Sequence, residues 1–168
     1  AINEQITKEL YSAYLYLSMA AYAANSGLNG FANWFSVQVK EELTHAEKMY
    51  QYLIAQGARV SLAAIDKPPQ DFRSASGLFE KTLAHEQTVT RSINALIALA
   101  RQVNDYATEV FLQWFVTEQI EEEANATENL NKCKLVGKDG QGLLMIDAQL
   151  AGRVFTPPVT GQNAPTAN

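Results

Sequence analysis

The sequence predicts an all-α protein: a bundle of four long helices, with a long crossover between the second and third and a short fifth helix. Three observations predict it. Apolar residues recur every three or four positions through most of the 168 residues, the spacing that places them on one face of a helix. The periodic stretches form four segments of ~25–30 residues, each ~40 Å long at the helical rise, so their lengths match as bundle partners should. Finally, each segment carries a glutamate on its apolar stripe near mid-length.

The first segment shows the period in Ile6, Leu10, Ala13, Tyr14 and Leu17. It is already under way at Ile2, so the chain is expected to begin slightly inside its natural N-terminus. Ser26-Gly27 and Asn29-Gly30 are turn signals that end it. The second segment runs over about 31–56, with Gly57 in the position of a C-terminal stop. A linker over 58–74 contains Pro68-Pro69; at about 17 residues it is long for a bundle connection and suits a crossover along the bundle's length. The third segment covers 75–102, and Asn104-Asp105 supply an N-cap-like turn before the fourth, over 106–135. Gly137, Gly140 and Gly142 break that segment, and a short fifth helix is expected over 143–150. The first and third connections are short, which makes helices one and two, and three and four, antiparallel neighbours. Residues 1–153 read as one domain. Residues 154–168, with Pro157, Pro158 and Pro165 and almost nothing apolar, read as a flexible tail.

Composition narrows the function. Hydrophobic residues make up 47% of the chain, enough for a sizeable core, and the formal net charge is −5. That balance argues against nucleic acid or an anionic membrane as partner, since both need a basic patch, and is compatible with binding cations. No apolar run approaches the ~18 residues of a membrane span. The opening Ala1-Ile2-Asn3-Glu4 has no charged-then-apolar leader. A lone cysteine, Cys133, makes no intrachain disulfide, which points to a reducing, cytoplasmic setting.

The informative residues are polar ones on the core stripes. Glu9 lies one turn from Ile6 and Ala13, with Tyr16 two turns along the same side. Glu42 lies between Phe35 and Met49, and His45 shares its face. Glu86 falls on the line of Phe79, Leu83, Thr90, Ile93 and Ile97. Glu118, Gln119 and Glu122 continue the line begun by Phe111 and Phe115. Burying one unpaired carboxylate costs several kcal/mol, and burying several together adds their mutual repulsion. Too few basic residues share these stripes to neutralise them. Two divalent cations would supply four positive charges and satisfy the carboxylate oxygens. Di-iron bundles use this pattern, a Glu from each of two helices and Glu-x-x-His from each of the other two. Glu42-Leu43-Thr44-His45 is one full copy; Gln119-Ile120-Glu121-Glu122 puts a carboxylate where a second histidine could stand. Taken singly, each acid reads as an ordinary solvated glutamate, and Glu47, Glu123 and Glu128 keep that reading. His85 reads as a surface or helix–helix contact, and Phe35, Phe111, Trp114 and Phe115 as core. The coincidence of four inward acids at similar depth with one correctly spaced histidine favours a metal.

Several stretches resemble the signature motifs of bacterial non-haem ferritins. They are Glu9-Leu10-Tyr11-Ser12-Ala13-Tyr14-Leu15-Tyr16, Glu41-Glu42-Leu43-Thr44-His45, His85-Glu86-Gln87 and Glu118-Gln119-Ile120-Glu121-Glu122-Glu123. Gly140-Gln141-Gly142-Leu143-Leu144-Met145-Ile146-Asp147 resembles that family's approach to its short last helix. The resemblance extends from the start to about Arg153. It implies a ferritin-like bundle assembled as a homo-oligomeric cage of twenty-four subunits, a 24-mer that oxidises ferrous iron with dioxygen and stores ferric mineral. By motif, Glu9, Glu42 and His45 would hold the first iron. Glu42 would bridge to the second, held also by Glu86 and Glu122 with Gln119 alongside. A third site would use Glu41, Glu118 and Glu121, shared with Glu122. Tyr16 matches a tyrosine beside the centre that acts as an electron donor. Glu109 lies near the family's threefold-channel acids, while Leu112 stands where animal ferritins carry another acid. Haem-containing bacterioferritins place a haem-ligating methionine where this chain has Leu43, so no haem is expected. The resemblance also leaves two rivals: a rubrerythrin-like di-iron enzyme that reduces peroxide, and a bundle that binds metal only for stability. A third rival, a plain helical interaction module, would leave the acids solvated.

Overall fold

The computed structural model describes residues 1–157, and these form five helices: α1 (Ile2–Asn25), α2 (Asn29–Ala55), α3 (Ala75–Gln102), α4 (Tyr106–Val136) and α5 (Gly140–Leu150). The α1/α2 and α3/α4 pairs each join through a turn of three residues and pack along their lengths. They are therefore antiparallel neighbours, as the short connections predict. The two hairpins then close on each other. Gln5 and Lys8 reach Ser92, Ser12 reaches His85 and Tyr16 reaches Glu86, so α1 runs antiparallel to α3. Gln38 meets Glu122 while Tyr52 meets Thr108 and stacks on Phe111, so α2 runs antiparallel to α4.

This arrangement requires the crossover. The linker leaves the end of α2 beside the start of α1, where Asn3 bonds the Arg59 carbonyl (3.1 Å) and the Ser61 amide (2.9 Å). It then follows α1 along its length. Ser18 donates to the Pro69 carbonyl at 2.6 Å, and Phe72 packs edge-on against Tyr22 before Ser74 caps α3 through the Gly77 amide. Asp105 caps α4 by accepting from the Thr108 amide at 3.0 Å, and Gly57 follows α2 with φ +68°, the left-handed conformation of a helix stop.

Two helix starts differ from the sequence reading. Asn29-Gly30 forms the first turn of α2, not the end of a loop. Asp147, on α5, accepts from the Phe31 amide at 3.0 Å and so caps α2 from elsewhere in the fold. A Cβ on Gly30 would lie 1.7 Å from the Asp147 carbonyl oxygen, so the glycine is there for close helix approach. Likewise α5 begins at Gly140, three residues before the expected start. Asp139 accepts from the Gln141 and Gly142 amides, both at 3.1 Å, and this cap overrides the two glycines.

The core is in two parts. One end of the bundle is aromatic: Phe31, Trp34, Phe35 and Phe79 interlock with Leu15, Met19 and Leu130, and α5 closes over them with Ile146 and Leu150. The other is largely aliphatic, with Ile6, Met49, Val89, Ile93, Leu112 and Phe115. Between the two lies a polar layer. No helix among the described residues is long and apolar enough to cross a membrane.

Candidate metal centre

All four long helices contribute to the polar layer. Glu9 (α1), Glu42 and His45 (α2), Glu86 (α3), and Gln119 and Glu122 (α4) are each at most 6% exposed. Each lies on the inward stripe of its helix, so the same periodicity that builds the core delivers these carboxylates into it. Glu9, Glu42 and His45 offer three ligand atoms within 4.8 Å of one another, the single such group among the described residues. His45 is held by the edges of Trp114 and Phe115, with centroids 5.5 and 6.0 Å away.

Burial and mutual repulsion of the carboxylates set the electrostatics of the layer. Burial pushes the Glu42 carboxyl well above the usual carboxylate range, and the neighbouring charges of Glu86, Glu9 and Glu122 push it further. Burial raises the neighbouring Glu9 carboxyl as well, opposed by the hydrogen bond from Gln5. Burial raises Glu86 to about 7, opposed by hydrogen bonds from Tyr16 and Gln119. Burial and the Glu86 charge raise Glu122 to about 8, opposed in part by Gln38. Burial lowers His45 to about 4. The imidazole is therefore neutral at pH 7, and its 3.5 Å approach to Glu42 is not an ion pair. Neutral imidazole is the form that binds metal.

The two sides of the layer are supported differently. On one, the Gln5 amide donates to Glu9 at 2.8 Å, accepts from Ser92 at 2.5 Å, and Lys8 donates to Ser92 at 2.6 Å. On the other, Tyr16 donates to one oxygen of Glu86 and Gln119 to the other (3.1 Å), while Gln38 donates to Glu122 at 2.9 Å. Gln119 also lies 3.3 Å from the Thr90 hydroxyl, which donates to Glu123 at 2.5 Å. Glu123 is therefore half-buried and part of this network, not the solvated acid its sequence context suggests. His85 bonds Ser12 at 2.8 Å between α1 and α3 and packs against Tyr11 and Tyr16, a helix–helix contact.

The remaining acids lie beyond this layer. Glu41 and Glu118 are half-buried, and Glu121 is exposed. The Arg153 guanidinium bonds Glu41 at 2.7 Å. Glu109 pairs with Arg101 at 2.7 Å, and Leu112 is wholly buried. Leu43 is exposed and has no donor atom for haem. Sequence reading missed Gln5 and Gln38. Their signal was available: each is a polar residue on a buried stripe, four positions before Glu9 and Glu42 respectively.

The donor set, carboxylate oxygens with one imidazole, suits Fe(II) and also admits Zn, Mn and Co. Known proteins narrow that choice. Residues 1–136 match the family model for the ferritin-like domain. The bacterial non-heme ferritin of Staphylococcus aureus (strain MRSA252) is 40% identical over 155 residues, covering 92% of this chain and 93% of its own. That of Campylobacter jejuni is 42% identical over 146 residues, 87% of each chain. Among solved structures, an engineered closed form of the Archaeoglobus fulgidus ferritin matches with a TM-score of 0.91 at 48% identity, covering 92% of this chain and 94% of that one. The open pore ferritin from the same archaeon matches with a TM-score of 0.90 at 47% identity, covering 91% and 94%.

Proposed function

This chain belongs to the ferritin family, and from that premise we propose that its polar layer binds two ferrous ions per subunit and passes one electron from each to dioxygen. It is an iron-storage protein with ferroxidase activity. The observation that carries the assignment of the site is the buried group of Glu9, Glu42 and His45, whose ligand atoms lie within 4.8 Å in a fold that gives them no buried cation. Those three would hold the first ion. Glu42, which feels the charges of Glu86, Glu9 and Glu122, would be shared between the two ions. Glu86 and Glu122 would hold the second, with Gln119 orienting Glu86.

The chemistry of this chain's own groups follows from their protonation. Binding a divalent ion displaces the protons that burial keeps on Glu42, Glu86 and Glu122, so loading releases protons and strengthens as pH rises. Hard carboxylates favour Fe(III) over Fe(II), which helps drive oxidation. Tyr16 donates to Glu86 from within the core and is the candidate source of a further electron. Glu41, Glu118 and Glu121 would take a third ion or pass Fe(III) towards the mineral. No haem is part of this reading. Assembly as a 24-mer cage rests on the family, with Leu17, Leu43, Ile54, Leu62 and Ile65 supplying exposed apolar surface for subunit contacts. A cytoplasmic location fits the single thiol, Cys133, which is buried and pushed up to about 11.

Anaerobic Fe(II) loading followed by rapid mixing with oxygen tests the proposal through stopped-flow absorbance. A fast phase that saturates at two or three irons per subunit is expected. Glu42→Ala should slow that phase by roughly two orders of magnitude, at least the upper end of what outer-shell changes cost. An unchanged initial rate in that variant would remove Glu42 from the bridge, and oxidation no faster than in buffer would remove the site.

A further inference from the structure

The ion pair between Glu41 and Arg153 has no part in the two-iron reading, yet it lies among the acids assigned to a third ion. Arg153 follows α5, at the end of the described fold. Its Nη2 donates to Glu41 Oε2 at 2.7 Å, and the two side chains are 21% and 23% exposed. Its guanidinium lies 4.5 Å over the Trp34 ring, and Nη1 approaches the Trp34 carbonyl at 3.4 Å. Only the side chain is free to leave. Asn33 donates to the carbonyls of Leu150 (3.3 Å), Ala151 (3.2 Å) and Arg153 (2.9 Å), which fixes the backbone there.

The ion pair with Glu41 places this guanidinium beside the acidic cluster, and two further observations describe the surroundings. Its charge stabilises the ionised forms of both Glu41 and Glu122, and Glu41 in turn repels Glu118 and Glu122. Through its ion pair with Glu41, Arg153 is thus a resident counter-charge beside the more exposed acids beyond the two-iron layer. In addition, Gln38 is wholly buried with its amide against Glu122, and its Oε1 is the one buried side-chain oxygen or nitrogen without a hydrogen-bond partner among the described residues. A buried carbonyl oxygen without a donor, beside a carboxylate, is suited to a cation.

We propose that Arg153 is a built-in competitor for the third metal position: an ion binds at Glu41 only by displacing the guanidinium, so the position fills after the first two and weakly. The proposal rests on the two-iron reading above. It makes Arg153 a specificity-determining residue for how many ions the subunit retains. It also predicts that third-ion binding is reported at Trp34, whose ring the guanidinium covers.

The test uses the assembled full chain and redox-inert Zn²⁺, followed by calorimetry with Trp114 intact and by fluorescence in Trp114→Phe, which leaves Trp34 as the remaining tryptophan. The two tight equivalents of that variant are first checked by calorimetry, because Trp114 packs against His45. Two tight equivalents should leave Trp34 emission unchanged, and a weaker third should shift it. Arg153→Gln should tighten the third ion by roughly tenfold, the scale of losing one charge-assisted pair, and leave the first two unaltered. Arg153→Lys, which keeps the charge without the fork, should fall between. Glu41→Gln should abolish the third ion in either background. Equal third-ion affinity in the wild type and both Arg153 variants would overturn the inference, as would a third ion that leaves Trp34 emission unmoved. Loss of the two tight equivalents in the wild type would instead overturn the two-iron reading, and the inference with it.

Discussion

The two sides of the polar layer contain the same chemistry in different states of readiness. Glu9, Glu42 and His45 already hold their ligand atoms within 4.8 Å, and the support for Glu9 comes from behind, through Gln5, Ser92 and Lys8. Both oxygens of Glu86 and one of Glu122 accept hydrogen bonds, from Tyr16, Gln119 and Gln38. A first ion entering the Glu9 side competes with one donor, the Gln5 amide on Glu9. A second ion meets three, two on Glu86 and one on Glu122. Carboxyls on both sides are raised by burial, so the difference lies in how closely the ligand atoms are already gathered and how many donors an ion must displace.

Single-site variants break this comparison most sharply. Glu9→Gln should cost both ions, because it disables the prepared side, whereas Glu122→Gln should leave one ion bound. Zn²⁺ calorimetry reads this directly, with the surviving site in Glu122→Gln within about threefold of its wild-type affinity, as for a weakly coupled neighbour. Symmetrical losses would mean that the two sides are equally prepared. Next in size is the support behind Glu9. Gln5→Leu keeps a buried side chain of similar size but removes the donor, and should weaken the first ion by about tenfold, as outer-shell changes do. If instead the second ion suffers more, the Lys8–Ser92–Gln5 chain does not orient Glu9.

A smaller effect separates the metal-free protein from the loaded one. Glu86 at about 7 and Glu122 at about 8 hold protons in the fold that the unfolded chain, with carboxyls near 4.5, has released. Raised acids contribute stability that is complete below about pH 4.5 and is lost as pH rises through 7 and 8. The buried histidines act in the opposite direction only below their ordinary value of 6.5, since His45 and His85 are near 4 in the fold. Between pH 6.5 and 8 the metal-free protein should therefore lose stability, by a few kcal/mol at most, seen as a fall of several degrees in Tm. Zn²⁺ should abolish that fall. A flat Tm for metal-free protein across this window would show that the carboxylates are ionised in the fold. The smallest effect on binding is expected from Tyr16→Phe, which removes one donor to Glu86: metal stoichiometry should hold while the absorbance decay after the fast phase changes. Identical decay would leave Tyr16 a packing residue beside Phe35.

The sequence made the span of α3 and the α4 cap legible, because the apolar period of the one and Asn104-Asp105 before the other are local signals. It misplaced the starts of α2 and α5, because those starts depend on partners elsewhere in the fold. Asn29-Gly30 carries a turn signature, and nothing near it in sequence shows that Asp147 will cap the helix. Glu123 was hidden in the same way: its neighbours Glu121 and Glu122 make it resemble a charged face, and only the Thr90 hydroxyl on another helix draws it inward.

By itself the sequence determined the helical class, the crossover and the inward acids, since each follows from spacing along a single helix or the length of a single connection. The tertiary structure decided which donor serves which carboxylate. Gln5 and Gln38 stand at the same spacing before Glu9 and Glu42, yet Gln5 bonds its own helix neighbour while Gln38 reaches across to Glu122. It also decided that Arg153, more than a hundred residues away, would sit on Glu41. Periodicity sets which way a side chain faces, but whom it meets depends on how the other helices pack against that face.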